Sequence, residues 1–203
     1  MIPDASYKSG MSILRCLAPF CLLLGLSSCD NADEERLLLP EPVQVDVEPV
    51  RISPGMTKLA DFSANVFVIS RKEYPSDPSD VLSGASPLDL AVAWGPAASE
   101  EAREAVELTQ SDRRYHWRAR ESDMATPGVG NFTRYSGNWH MVPADTKVAA
   151  DLAAVKPGDI VSMEGELVLL TFPDGTYYAS SLSREDTGDG ACEIFRVRSI
   201  SVS

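Results

Sequence analysis

The chain has 203 residues, of which 44% are hydrophobic and 24% charged, and it carries a formal charge of −12 at pH 7. That is globular composition, and it excludes a wholly disordered chain, a collagen or a long coiled coil. The carboxylate excess also argues against nucleic acid as a partner, because phosphate backbones are bound mainly through lysine and arginine.

The chain opens with a segment that reads as a signal. Residues 11–15 make a short basic start, and residues 16–26 follow without a charge. Eleven residues cannot cross roughly 30 Å of hydrocarbon as a helix, but they suit the apolar region of a secretory signal peptide. Met11 fits that start better than Met1, and both remain open as the point of initiation. Leu26-Ser27-Ser28-Cys29 then resembles the lipobox of bacterial lipoproteins. The resemblance implies that Cys29 receives a thioether-linked diacylglycerol and becomes the first residue after cleavage. It implies a lipid-anchored place on the periplasmic face of the bacterial envelope, with the membrane as a partner. Acyl chains such as palmitate hold firmly because each buried CH₂ contributes ~0.8 kcal/mol. Asp30, by the same resemblance, slightly favours the inner membrane. Removing residues 1–28 takes away Lys8, Arg15 and Asp4, so the mature chain has a net charge of −13. Cys16 and Cys21 leave with the signal and Cys29 is acylated, so Cys192 is the lone thiol and no intrachain disulfide is expected.

Residues 29–55 read as the lipidated cysteine and an acidic, proline-rich tether, and residues 56–203 as one globular domain. Within the tether Val43, Val45 and Val47 alternate, so a strand is expected to begin there. Residues 56–70 read as a strand centred on Val66-Phe67-Val68-Ile69, and residues 74–80 as a loop rich in turn formers. The run from Ser86 to Pro96 is compact and mostly apolar. Ser99 caps a helix expected to reach Leu108, with Glu100 and Glu101 in its first turn. Residues 114–120 predict a strand with Tyr115 and Trp117 on one face and His116 on the other. The nearby Arg113, Arg114, Arg118 and Arg120 read as a solvated charged segment. Residues 123–138 hold Pro127, Gly128, Gly130 and Gly137 and read as a long loop. Residues 145–155 predict a second helix with Val148, Leu152 and Val155 as its stripe, stopped by Pro157-Gly158. A strand over 159–170, a turn at Pro173-Asp174-Gly175, a partner strand over 176–182, an acidic connection over 184–190 and a last strand over 192–202 complete the chain.

The fold expected is α+β: an antiparallel, partly barrelled sheet with two short helices. The mid-strand Gly165 suggests a bulge or bend. Together with the strands that follow, it gives the pattern of small barrels of the oligonucleotide/oligosaccharide-binding (OB) type.

Several motifs are shared with known sequences. They are Ser86-Pro87-Leu88-Asp89-Leu90-Ala91 with Trp94-Gly95-Pro96, Gln110-Ser111 with Tyr115-His116-Trp117, Ser136-Gly137-Asn138-Trp139-His140, and Ser180 to Arg184 with Asp186 to Glu193. On these, residues 62–202 resemble a family of uncharacterised proteobacterial proteins. The resemblance implies a single domain and no established activity.

Catalytic candidates are few. Cys192 with His140 or His116 would supply a nucleophile and base, with Asn138 or Asp186 orienting the ring. Asp186-Thr187-Gly188 looks like the triplet of aspartic proteases but has no second copy. Asp186, Asp189 and Glu193 lack the spacing of a calcium loop, and two histidines and a cysteine do not match a zinc pattern, so no metal or cofactor is expected. Trp94, Trp117 and Trp139, with Tyr115, Tyr135 and Arg184, are candidates for a ligand-binding face, although tryptophan more commonly fills a core. The function expected is a non-enzymatic binding or accessory module acting on another envelope protein or a cell-wall component. A small Cys192/His140 hydrolase or transferase, and a glycan- or peptide-binding barrel, are the other readings.

Overall fold

A computed structural model of the protein describes residues 38–183 and 191–203. The signal segment, Cys29 and Asp30, and the connection containing Arg184 and Asp186 lie outside the described residues.

The fold is α+β, with nine strands and two short helices among the described residues. In chain order they are β1 (Val43–Ser53), β2 (Met56–Glu73), β3 (Leu88–Ala93), α1 (Glu100–Ala105), β4 (Val106–Ser111), β5 (Arg114–Ala119), β6 (Ser136–Pro143), α2 (Thr146–Ala154), β7 (Ile160–Thr171), β8 (Tyr177–Ala179) and β9 (Ile194–Val202). Seven strands form one sheet in the order β1-β2-β3-β6-β9-β7-β8, and β7 also pairs back onto β2, so the sheet closes partly into a ring. The hairpin β4–β5 stands apart as a separate ribbon.

The sheet is mixed, which corrects the expectation of an antiparallel one: β6 and β9 run parallel, from His140 opposite Ile194 to Pro143 opposite Val197. The long passage through α2, β7 and β8 lets the chain return in the same direction, which a tight turn cannot do. The tether expectation changes too. Residues 43–46 and 50–53, ahead of the expected boundary at 56, pair antiparallel with β2, so this strand belongs to the sheet.

Alternation builds the interior. Ala60, Phe62, Ala64, Val66 and Val68 of β2 turn inward along an 18-residue strand, long enough to serve β1 and β3 on one side and β7 on the other. Phe62, Trp139 and Phe195 meet edge to face, with centroids 4.9–5.9 Å apart, and Trp94 stacks on Trp139 at 6.1 Å. Gly165 sits where the β7–β9 register shifts, and a Cβ there would lie 1.9 Å from the carbonyl oxygen of Arg196. The glycine expected to mark a bend therefore allows two backbones to approach closely. For α2, the Asp145 carboxylate accepts from Val148 N (2.9 Å), and Val148, Leu152 and Val155 are buried as the stripe predicts.

Two local expectations shift. The helix capped by Ser99 ends at Ala105, because residues 106–111 enter β4 and pair with β5. Val106 and Leu108 pack near Phe132 there, and this contact overrides local helix preference. The end of the expected loop over 123–138 is the start of β6, whose first seven residues are all buried. Both faces of β6 are covered, so its sequence carries no alternation to announce a strand.

Candidate functional site

Asp89 lies in the apolar run of β3 directly opposite His140 of β6, so both side chains share one face of the sheet. The carboxylate is essentially unexposed, at 1%. His140 Nδ1 donates to Asp89 Oδ1 (2.9 Å), Arg113 Nη1 donates to the same oxygen (3.1 Å), and Asn138 Nδ2 reaches Oδ2 (3.4 Å). A charge taken this far from water survives only with such partners.

Arg113 comes from the turn of the β4–β5 hairpin. Asp112 and Arg113 both have positive φ (51° and 63°), as a tight two-residue hairpin turn demands, although neither is glycine. The Arg113 side chain offsets that backbone cost. Its guanidinium also binds Asp80 (Nη2 to Oδ2, 2.6 Å) and the carbonyl of Ser86 (2.9 Å), and it lies over the Tyr74 ring at 3.6 Å. The turn is fastened further by its own backbone. Arg113 N donates to Tyr74 Oη (3.0 Å), Asn138 Nδ2 donates to Arg113 O (3.1 Å), and Gln110 Nε2 donates to Asn138 Oδ1 (2.7 Å). Of the four arginines read as one solvated segment, Arg113 is thus mostly buried. Arg118 and Arg120 are exposed and pair with Glu107 and Asp123.

Clamping the hairpin against the sheet leaves a cleft of about 320 Å³ between β5, the start of β6, Trp94 and the entry to β9. On the hairpin side, Tyr115 Oη donates to Ser136 Oγ (3.0 Å), whose own proton goes to the Phe132 carbonyl (2.7 Å). Burial raises the Tyr115 phenol above its ordinary pKa, with the charges of Glu193 and Cys192 acting in the same direction and Ser136 opposing. Trp117 is half-buried, donates to Thr133 Oγ1 (3.1 Å) and tilts against Phe132. His116 lies on the cleft wall and is exposed.

At the inner end, Trp94 is 1% and Trp139 0% exposed, and the buried indole N–H of each has no hydrogen-bond partner among the described residues. Trp94 lines the cleft. Trp139 Nε1 lies 2.7 Å from the point where a side chain on Gly137 would begin, and Gly137 itself lines the cleft. The missing Cβ therefore leaves room for the indole edge, whose N–H stays buried. A buried donor without an acceptor costs roughly 1–3 kcal/mol, so two such donors beside one cleft are unusual.

Cys192 stands on the opposite wall. Burial, then the Glu193 and Asp89 carboxylates, push its thiol up to about 12, with Asn138 and Arg114 pulling the other way. Its Sγ donates to the Arg113 carbonyl (3.8 Å) and also meets Asn138, whereas His140 is committed to Asp89. No cluster of three or more His, Cys, Asp or Glu side chains that would hold a metal occurs among the described residues.

The candidates from sequence therefore divide. His140, Asn138 and Asp89 form one buried network. Trp94, Trp117, Tyr115 and Cys192 line the cleft. Trp139 is core, and Asp186 and Arg184 lie outside the described residues. Sequence reasoning passed over Asp89 and the clamping role of Arg113. The signal for Asp89 was a single charge in the run Leu88-Asp89-Leu90-Ala91-Val92-Ala93, which otherwise reads as a fully buried strand. No protein-family model, curated protein or solved structure matches this chain.

Proposed function

We propose that this chain is a lipid-anchored envelope protein whose domain binds an envelope component in the hairpin cleft without transforming it. The observation that carries the reading is the open cleft lined by Trp94, Tyr115 and Trp117, with Ser136 and Asn138 as fixed polar groups on its walls. Concave, mostly apolar sites with a few fixed polar groups are where ligands bind.

We read the ring as an OB-type barrel. Five strands (β2, β3, β6, β7, β9) pair in a cycle, the third and last of them run parallel, and α2 joins the third to the fourth. Barrels of this type bind ligands across their second and third strands, between the flanking loops. Here those strands are β3 and β6, and the cleft opens beside them.

The anchor fits this placement. Leu39, ten residues after Cys29, accepts from Gly95 N (2.8 Å), next to Trp94. An extended chain covers at most about 3.5 Å per residue, so acylated Cys29 would hold the cleft within roughly 35 Å of the bilayer surface. Cysteine catalysis is the weaker reading. A thiol with a pKa of about 12 is almost wholly protonated near neutrality, and among the described residues no base is bonded to it.

Two experiments test the proposal. Metabolic palmitate labelling is expected to mark the wild-type chain and not Cys29→Ala, and a labelled mutant overturns the anchor. Titrating the full-length protein in detergent with muramidase-solubilised cell wall and with envelope extract is expected to shift tryptophan emission saturably. Trp117→Ala should weaken that response. A flat titration with both preparations overturns the binding cleft.

A further inference from the structure

We infer that a second groove, at the far end of the ring from the hairpin cleft, binds a medium-length acyl chain through a single carboxylate that pairs with Arg71. This site depends neither on the cleft nor on the lipid anchor.

β3 and β6 pair from Ala93 opposite Ser136, beside the cleft, to Leu88 opposite Met141 at the far end. β2 runs on past this end, but β7 stays with it only as far as Phe67. The interior therefore opens to one side. A groove of about 500 Å³ lies there between the segment after β2, the end of β6 and α2, within the usual range for small-ligand sites. Leu88 and Leu152 form its buried floor. Ala149 is half-buried on the α2 wall, and Pro75, Pro87 and Ala153 make an exposed apolar rim.

Arg71 and Glu73 are the only charged residues that line the groove. They stand opposite Leu90 and Leu88, so both occupy positions on the interior face of β2. Arg71 Nη2 donates to Glu73 Oε1 (2.7 Å). Its Nε is enclosed by protein, whereas Nη1 is not enclosed and has no partner among the described residues. The two ends of this ion pair are unequal. The Arg71 side chain is 22% exposed and that of Glu73 68%.

That inequality selects the charge of the ligand. A carboxylate that takes the open edge of the guanidinium releases Glu73 into water, at little cost for so exposed a group. A cationic head would take Glu73 instead and strand a largely desolvated guanidinium, the costly side of the exchange. One arginine balances one negative charge, and its planar fork matches a carboxylate. The rest of the lining selects the tail. It is mainly aliphatic, and its one aromatic ring, Tyr74, has a face taken by Arg113. A flexible hydrocarbon chain fits such a surface.

The test uses full-length protein with ¹³C-methyl alanine, held in nonionic amphipol so that no micelle competes for the tail. Ala149→Ser and Ala153→Ser spectra assign the two reporters, and exposed Ala179 on β8 is the control. Octanoate is expected to move Ala149 and Ala153 saturably and to leave Ala179 in place. It should bind roughly tenfold more tightly than hexanoate, from two further buried CH₂ groups. Octylamine and octanol should bind at least about tenfold more weakly than octanoate. Arg71→Gln should weaken octanoate by a similar factor, and Glu73→Gln, which removes the competing carboxylate, should tighten it about threefold. Because Glu73 is exposed, its variant tests the pairing even where Arg71→Gln fails to fold. No movement with octanoate, or equal movement of Ala179, overturns the site. Octylamine or octanol binding as tightly as octanoate, or weaker octanoate binding by Glu73→Gln, overturns the carboxylate assignment.

Discussion

The two sides of β6 are held by opposite kinds of force. Inside the ring, Trp139 packs against Phe62, Phe195 and Trp94, and the contacts are apolar and edge to face. On the other face, Asn138 and His140 join Asp89 and Arg113 in a buried polar network that fastens the β4–β5 hairpin. Apolar packing is non-directional and tolerates repacking, whereas the network works only with every partner in place. The cleft lies along the boundary between the two. A rigid barrel end and a clamped hairpin hold its walls apart, and the open space remains between them.

Separate substitutions attack the two sides. Gly165→Ala strikes the ring, because the methyl group would meet backbone rather than a yielding side chain. A loss of more than about 4 kcal/mol in chemical denaturation, or failure to fold, is expected. A loss under about 1 kcal/mol would mean that the β7–β9 approach is looser than described.

Arg113→Ala strikes the clamp. It leaves the Asp89 carboxylate buried without its arginine, and about 3 kcal/mol of destabilisation is expected. Amide exchange should accelerate in residues 106–119 while the β2–β7 ladder stays protected. Uniform acceleration across both would show that hairpin and ring unfold as one unit. Tyr115→Phe removes a single donor to Ser136 on the cleft wall and should cost about 1 kcal/mol in the same denaturation assay.

Cys192 gives the smallest effect near neutrality and a distinctive one in alkali. Its pKa is raised from 9.0 to about 12, so above pH 9 the unfolded chain releases a proton that the folded chain keeps. Stability is therefore unaffected below pH 9 and falls as pH rises from 9 towards 12. Replacing Cys192 with alanine should flatten part of that decline in denaturation midpoints measured across this range. An unchanged slope would place the thiol in a more solvated setting than the cleft wall.

Legibility followed the same division. β2, β5, α2 and the first half of β7 were readable because each buries one face, so that period 2 or 3.6 is written into the sequence. Gly165 was readable as a bend because glycine inside a strand has few other uses. β6 was not readable, since a strand covered on both faces has no alternation. The β4–β5 turn was hidden as well, because Asp112 and Arg113 replace the glycine or asparagine that usually signals it. Arg113 looked like one more solvated arginine for the same reason, as its neighbours Arg118 and Arg120 are exposed.

By itself, the sequence determined the class of fold, most of its strands and both helix starts, because periodicity and caps act between residues close together in the chain. The tertiary structure alone decided that β6 and β9 run parallel, that the sheet returns onto β2, and that Asp80, Asp89, Arg113 and His140 meet. Those contacts join residues up to 114 positions apart in sequence, as Met56 and Leu170 are. Their energy comes from desolvation and shared hydrogen bonds, which exist only once the chain has closed around them.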